Sequence, residues 1–187
     1  MAPTDFFARW HCRDLGVGDM SEINELKQIS RRDYSIRRIL RKILLSISRY
    51  SLAPSKIRIF LLYAAGIKFS LPQTVFVGGD VFFDDTHPEK ISIGRFVRIT
   101  AGAKIITHFI DTSFEGSESE PFLFYDGNVE IGDFVFIGMN CVIANSVTIG
   151  PWAIIGANTV VTKDIPSGAI FAGNPGRIIG YRVGFER

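Results

Sequence analysis

The chain has 187 residues, of which 47% are hydrophobic and 21% charged, and its formal net charge is +2. Such a composition excludes a disordered chain and suits one main domain with a sizeable core plus an extension. A charge balance this close to neutral gives no argument for nucleic acid as a partner.

Residues 1–18 carry little pattern, and their mixed charge is unlike a signal peptide. Asp19 and Glu22 have capping-box spacing, with Asp in place of Ser or Thr, and predict a helix over about 20–50. Its apolar residues Ile36, Ile39, Leu40, Ile43, Leu44 and Ile47 fall on one face, and Arg31, Arg32, Arg37, Arg38, Arg41 and Lys42 on the other. Three readings stand open for this basic helix. It packs on the body with its charges in water, it contacts an anionic membrane surface through Arg and Lys, or it binds another subunit. Pro54 suits the first turn of a second helix over 55–65, which Gly66 closes. The most apolar run, 57–67, is too short to span a bilayer, so a cytoplasmic protein is expected, with a peripheral seat at the inner membrane face as the variant.

From residue 131 an aliphatic side chain recurs every sixth position: Ile131, Ile137, Ile143, Ile149, Ile155, Val161. A small or polar residue follows each: Gly132, Gly138, Ala144, Gly150, Gly156, Thr162. Neither a helix, with a period near 3.6, nor a hairpin sheet, with a period of 2, produces this. Short strands joined by tight turns do, each pointing one aliphatic side chain into a shared interior, as in a parallel β-helix of the hexapeptide type. The same step joins Val75 to Val81, and Ile93 to Ile99 and Ile105; His87, Pro88, Glu89 and Lys90 break the phase between them. A longer insertion over 109–128 reads as an exposed loop, and a regular solenoid that tolerates one long loop is expected to use it. Pro166, Gly168 and the run Gly173, Asn174, Pro175, Gly176 close the coil. The predicted organisation is an N-terminal tail and helices over 1–69 and the repeat domain over 70–187. Cys12 and Cys141 are far apart, and Cys141 sits where the repeat wants a small apolar residue, so a reduced, buried thiol is expected.

His108 ends a repeat just before the insertion, where a neutral imidazole is a candidate to take and return a proton; a histidine capping a turn is the plain alternative. Asp111 is close enough to orient the ring or bind a hydroxyl. Asp84 and Asp85 are candidates for sugar hydroxyls, and as neighbours on a strand they point to opposite faces, which argues against a dyad. His87 reads as a surface corner, and His11 lies in the unpatterned tail. Three scattered histidines make a zinc centre unattractive, so no metal is expected. Lys163, Arg177 and Arg182 bring positive charge near the Gly-Asn-Pro-Gly turn, which suits either a phosphate-bearing ligand or a solvated basic edge.

Over residues 56–181 the chain resembles the hexapeptide-repeat acyltransferases, and more narrowly the sugar O-acetyltransferase branch with the maltose and galactoside acetyltransferases. The resemblance is most specific over 149–179, IGPWAIIGANTVVTKDIPSGAIFAGNPGRII, and extends to the run Ala-Gly-Ala-Lys-Ile-Ile-Thr that ends at His108. It implies a left-handed coil, a homotrimer with sites between subunits, acetyl-coenzyme A as co-substrate and His108 as the catalytic base. By motif position it implies coenzyme contacts at Ala157, Thr162, Lys163, Asn174 and Arg177, with Phe136 along the pantetheine channel and Met139 near the thioester. Thr100 stands where several relatives carry an acceptor-binding asparagine, and Gly180 where a second coenzyme-binding arginine often occurs. The family's usual N-terminal segment is replaced by the basic helix. The expected reaction is direct acetyl transfer to a hydroxyl of a polysaccharide or glycoconjugate precursor, lipid-linked or nucleotide-linked. N-acetylation of an amino sugar, a metal-dependent hydratase and a non-catalytic interaction protein are the rivals.

Overall fold

The structure is a computed structural model that describes residues 36–50, 52, 54–111 and 123–185, with side chains stated for all of these except 110, 111 and 123–125. The predicted cap at Asp19, the helix before residue 36 and Cys12 lie outside the described residues. Two helices come first, α1 (Ile36–Tyr50) and α2 (Ser55–Ala65). Gly66 ends α2 in the left-handed conformation at φ 112°, and its N–H is satisfied by the last turn.

The rest winds through three parallel sheets in strict rotation. One sheet holds β1 (Lys68–Phe69), β4 (Ile91–Ile93), β9 (Val129–Ile131) and β12 (Val147–Ile149). The next holds β2 (Phe76–Val77), β5 (Arg98–Ile99), β10 (Phe136–Ile137), β13 (Ile154–Ile155) and β15 (Ala169–Gly173), with β16 (Gly176–Tyr181) added antiparallel at its end. The third holds β3 (Phe82–Phe83), β6 (Lys104–Ile105), β11 (Val142–Ile143) and β14 (Val160–Val161). Phe136 pairs with Ile154 and Val142 with Val160, so three six-residue steps make one coil. A separate hairpin, β7 (His108–Asp111) with β8 (Leu123–Asp126), leaves the coil where the insertion was expected.

The interior is the aliphatic column itself: Ile99, Ile105, Ile137, Ile143, Ile149, Ile155 and Val161 are fully buried. Each is worth roughly 1.5–3 kcal/mol of burial, repeated coil after coil. Two residues before each comes a second inward position, occupied by Val97, Ala103, Val135, Cys141, Val147 and Ala153. Cys141 is buried, its thiol bonds the Gly156 carbonyl at 2.9 Å, and burial pushes its pKa up, so it serves packing.

The small residue after each aliphatic one is required for a different reason than the turn itself. A Cβ on Gly138 would stand 2.6 Å from the Ala157 nitrogen of the coil above. The left-handed backbone falls three residues after the aliphatic position, at Phe96, Phe134, Asn140, Ser146, Trp152 and Asn158. Aromatic residues bear that strained conformation at one corner, where they stack: Phe96 on Phe134 at 4.8 Å and Phe134 on Trp152 at 4.1 Å between centroids.

The helix α1 is turned over relative to its ordinary packing. Its body-facing side carries Arg38, Arg41, Leu44, Leu45, Ser48 and Arg49, while Ile36, Ile39, Leu40, Ile43 and Ile47 face out. The reading in which the helix packs on the body with its charges in water holds only in part: Arg37 and Lys42 are exposed, while Arg38, Arg41 and Arg49 are half-buried. Coil carboxylates hold the cations in place: Arg41 to Glu89 at 3.2 Å, Lys42 to Asp85 at 2.9 Å and Arg49 to Asp80 at 2.7 Å.

Candidate active site

Two breaks in the six-residue step build the site. The first, at Pro88–Lys90 and the adjoining His87, lengthens the lower coil, so that Phe83 pairs with Ile105. Asp84 thereby lies one rung from the end of β6, its N–H donating to the Ile105 carbonyl at 3.0 Å. The second break is the hairpin, which begins at His108.

The Asp84 carboxylate is buried and saturated. Its Oδ2 accepts the Thr107 N–H at 2.8 Å and the Thr107 hydroxyl at 2.9 Å, and lies 2.6 Å from His108 Nδ1. Its Oδ1 accepts the Thr86 N–H at 2.9 Å. Burial alone would raise the pKa of this acid; the hydrogen bonds from His108, Thr86 and Thr107 outweigh it and hold the carboxyl well below its usual range. The same bond to Asp84 raises His108 above its ordinary value, against the opposing pulls of partial burial and of Arg38. Both shifts describe one arrangement, a carboxylate gripping an Nδ1–H, which leaves Nε2 of a partly exposed ring to take a proton.

The expectation that Asp84 binds an acceptor hydroxyl is corrected by this geometry: its side chain is 1% exposed and both oxygens are in use. It orients the ring instead, one of the two tasks open to Asp111 in the sequence. The backbone of Asp111 pairs with Leu123 in β7, and its side chain lies outside the described residues. Asp85 points the other way, to Lys42. Thr100 spends its hydroxyl on the Ile137 carbonyl at 2.8 Å.

A second polar cluster anchors the hairpin. Asp126, paired with His108 in the strand register, is buried and takes an ion pair from Lys90. His87, expected at a surface corner, is only a quarter exposed; its Nδ1 lies 3.1 Å from Glu89 and its Nε2 4.0 Å from Asp126. The sequence carries part of the signal for the first cluster: subtracting the four-residue interruption from the numbering puts Asp84 on the rung of Ile106, two residues before His108.

The implied coenzyme contacts do not all gather round His108. Backbone bonds from Thr100 to Ile137, Gly138 to Ile155 and Gly156 to Phe171 stack Thr100, Met139, Ala157 and Asn174 along the corner that follows the β2–β5–β10–β13–β15 sheet. Met139 is 53% exposed, and Phe136 and Arg177 project from that sheet. His108 stands on the next corner, after β6, where Thr162 and Lys163 also emerge two coils further on. A groove of ≈ 190 Å³ opens between α1 and β3, lined by Lys42, Arg49, Tyr50, Phe82 and Asp85. Ligand pockets usually span about 300–1,000 Å³, so this groove alone is too small for a donor and an acceptor. Among the described residues no group of three or more His, Cys, Asp and Glu side chains is arranged to hold a metal ion.

Comparisons with known proteins agree with the repeat fold. The bacterial transferase hexapeptide (six repeats) profile matches residues 128–163. Protein CapG of Staphylococcus aureus is 39% identical over 141 residues, covering 75% of this chain and 77% of CapG. The crystal structure of a maltose O-acetyltransferase from Clostridium difficile 630 is 26% identical with a TM-score of 0.53, covering 78% of this chain and 86% of that one. A hexapeptide-repeat acetyltransferase of Vibrio cholerae, solved with acetyl coenzyme A, shares the fold at 22% identity and a TM-score of 0.60, covering 87% of this chain and 98% of that one.

Proposed function

The chain belongs to the hexapeptide-repeat transferases, and from that membership we propose that it is an acetyl-coenzyme A-dependent O-acetyltransferase for a sugar hydroxyl of a polysaccharide or glycoconjugate precursor. One observation carries the reading: a buried carboxylate 2.6 Å from Nδ1 of a partly exposed histidine at the mouth of an insertion. His108 Nε2 takes the acceptor hydroxyl proton as that oxygen attacks the acetyl carbonyl. Asp84 steadies the imidazolium formed. When the carbon–sulfur bond breaks, the proton passes from Nε2 to the leaving thiolate, so the step is proton-balanced and needs no covalent acyl-enzyme.

The donor is a co-substrate, and the chain's surface chemistry suits it. Phe136 and Met139 offer an apolar track for a pantetheine arm, Lys163 and Arg177 offer charge to phosphates, and the amides near Met139 offer donors to a developing oxyanion. These groups and His108 stand on different corners of one coil. A left-handed coil assembled as a homotrimer would set one protomer's donor corner against its neighbour's His108, completing the site between subunits. We assign the enzyme to the cytoplasm, where the donor is made.

The test is thiol release from acetyl-coenzyme A against saccharides and nucleotide sugars offered in hydroxyl and amino forms. His108→Asn keeps an N–H toward Asp84, so the variant folds, and turnover falls by about 10³-fold. Near-normal turnover would refute the base, and transfer to the amino form alone would reassign the acceptor.

A further inference from the structure

The outward side of the two helices is a feature that the reaction does not use. Ile39, Leu40, Ile43 and Ile47 on α1 and Phe60 and Tyr63 on α2 are each about half or more exposed, Phe60 reaching 68%. Leaving a large apolar side chain in water forgoes about 1.5–3 kcal/mol, and a contiguous group of them marks an interaction surface. The stripe is held outward rather than merely left there. Arg41, Lys42 and Arg49 are tied down to Glu89, Asp85 and Asp80, and Ser48 is buried beneath them with its hydroxyl 3.4 Å from the Arg58 carbonyl.

Charge selects the occupant. The two helices carry Arg37, Arg38, Arg41, Lys42, Arg49, Lys56 and Arg58 and no carboxylate at all. Arg41, Lys42 and Arg49 pair with Glu89, Asp85 and Asp80, and Arg37, Lys42 and Lys56 are exposed. An apolar stripe on a cationic helix pair, with Tyr50 and Tyr63 at its edge, fits a surface that is apolar within and anionic at its rim. A second copy packed face to face through the same helices would set like charges together, with no acid on the helices of either copy to relieve them. Among the described residues no helix is long and apolar enough to cross a bilayer, so the pair would lie along it.

We propose that this face seats the enzyme on an anionic lipid bilayer and that the acceptor is a glycan anchored in the same membrane. The second half rests on the transferase reading above; the first does not. The site is placed for it. Lys42 of α1 touches Asp85, the chain neighbour of the Asp84 that holds His108. One helix diameter, about 10 Å, therefore separates the lipid-facing stripe from the carboxylates of the site. The expectation of membrane contact through the arginines and lysines themselves is thereby altered: the apolar side enters the interface and the cations flank it.

The full chain is sedimented with vesicles of phosphatidylcholine alone or mixed with phosphatidylglycerol. Binding is expected to the mixed vesicles, weaker at high salt, and to fall at least 10-fold in the triple variant Ile39→Asn, Ile43→Asn, Ile47→Asn. These residues lie outside the catalytic machinery, so the variant keeps its turnover on a soluble saccharide. Wild-type enzyme is expected to favour a saccharide on a lipid anchor in mixed vesicles at least 10-fold over the same saccharide in solution, and the variant to lose that preference. Wild-type protein that ignores the mixed vesicles overturns the seat, as does a variant that binds them equally. A variant whose oligomer mass drops while neither protein binds vesicles assigns the face to a second copy. Equal turnover on anchored and soluble saccharide by vesicle-bound enzyme overturns the anchored acceptor. His108→Asn, which should sediment like wild type without turnover, keeps failure of the transferase reading distinct from failure of the seat.

Discussion

The coils over 129–165 and those over 75–126 follow one rule to different ends. In the upper coils the six-residue step holds without a slip from Ile131 to Val161, and the aliphatic column passes through them unbroken. In the lower coils the step breaks twice, and there the buried acids Asp84 and Asp126 lie, one on each side of His108. A repeat has no reason to bury a charge, because every position is answered by an equivalent one above it. An interruption creates a rung with no equivalent neighbour, where a carboxylate can be buried if the local backbone supplies its donors. The upper coils form the regular wall that bears the candidate donor residues, and the lower ones hold the histidine and its buried carboxylate.

The sharpest break of this contrast is at His108. His108→Asn should cost about 10³-fold in turnover, roughly 4 kcal/mol of transition-state stabilisation, with thermal unfolding close to wild type. The converse is Ile143→Ala in the upper column. It should lower unfolding free energy by about 3 kcal/mol in denaturant titrations, with catalysis at low temperature retained. Comparable damage to turnover in both variants would erase the division of labour.

Asp84→Asn sharpens the contrast further, because it changes position rather than the reacting group. Turnover should fall about 10²-fold. The acidic limb of the pH–rate profile should also move to lower pH, because the hydrogen bond that raises His108 is lost. Stability carries its own sign. Asp84 is depressed in the folded state, so its contribution is present above its unfolded value of 3.8 and lost as pH falls below it. His108 is raised, so its contribution is full below 6.5 and lost as pH climbs past its folded value. The stability gap between wild type and Asp84→Asn should therefore be widest between these two values, as denaturant midpoints across pH would record. The smallest effect belongs to the exposed Arg95–Asp133 pair at 2.6 Å, where Arg95→Gln should leave Tm and turnover unchanged.

The reach of the sequence differs between these regions for the same reason. Periodicity makes the upper coils legible, since one aliphatic residue in six and a small residue after it state where each side chain points. It also makes His108 legible as the residue at the edge of a break. The partner of His108 is not legible along the chain. Asp84 is 24 positions away, and an adjacent pair of aspartates looks like a polar turn until the register across the interruption is known. The orientation of α1 was hidden more deeply. A helical wheel gives the apolar side, but which side meets the coil depends on Asp80, Asp85 and Glu89, which lie on three separate segments.

The amino-acid sequence by itself determined the solenoid, its two interruptions and the histidine at the second, because each is a matter of spacing along the chain. Only the tertiary structure decided which acid grips the ring, which side of the helix faces the solvent and on which corners the candidate donor residues stand. Those depend on residues brought together across coils, where a shift of four positions in one turn changes every neighbour above it.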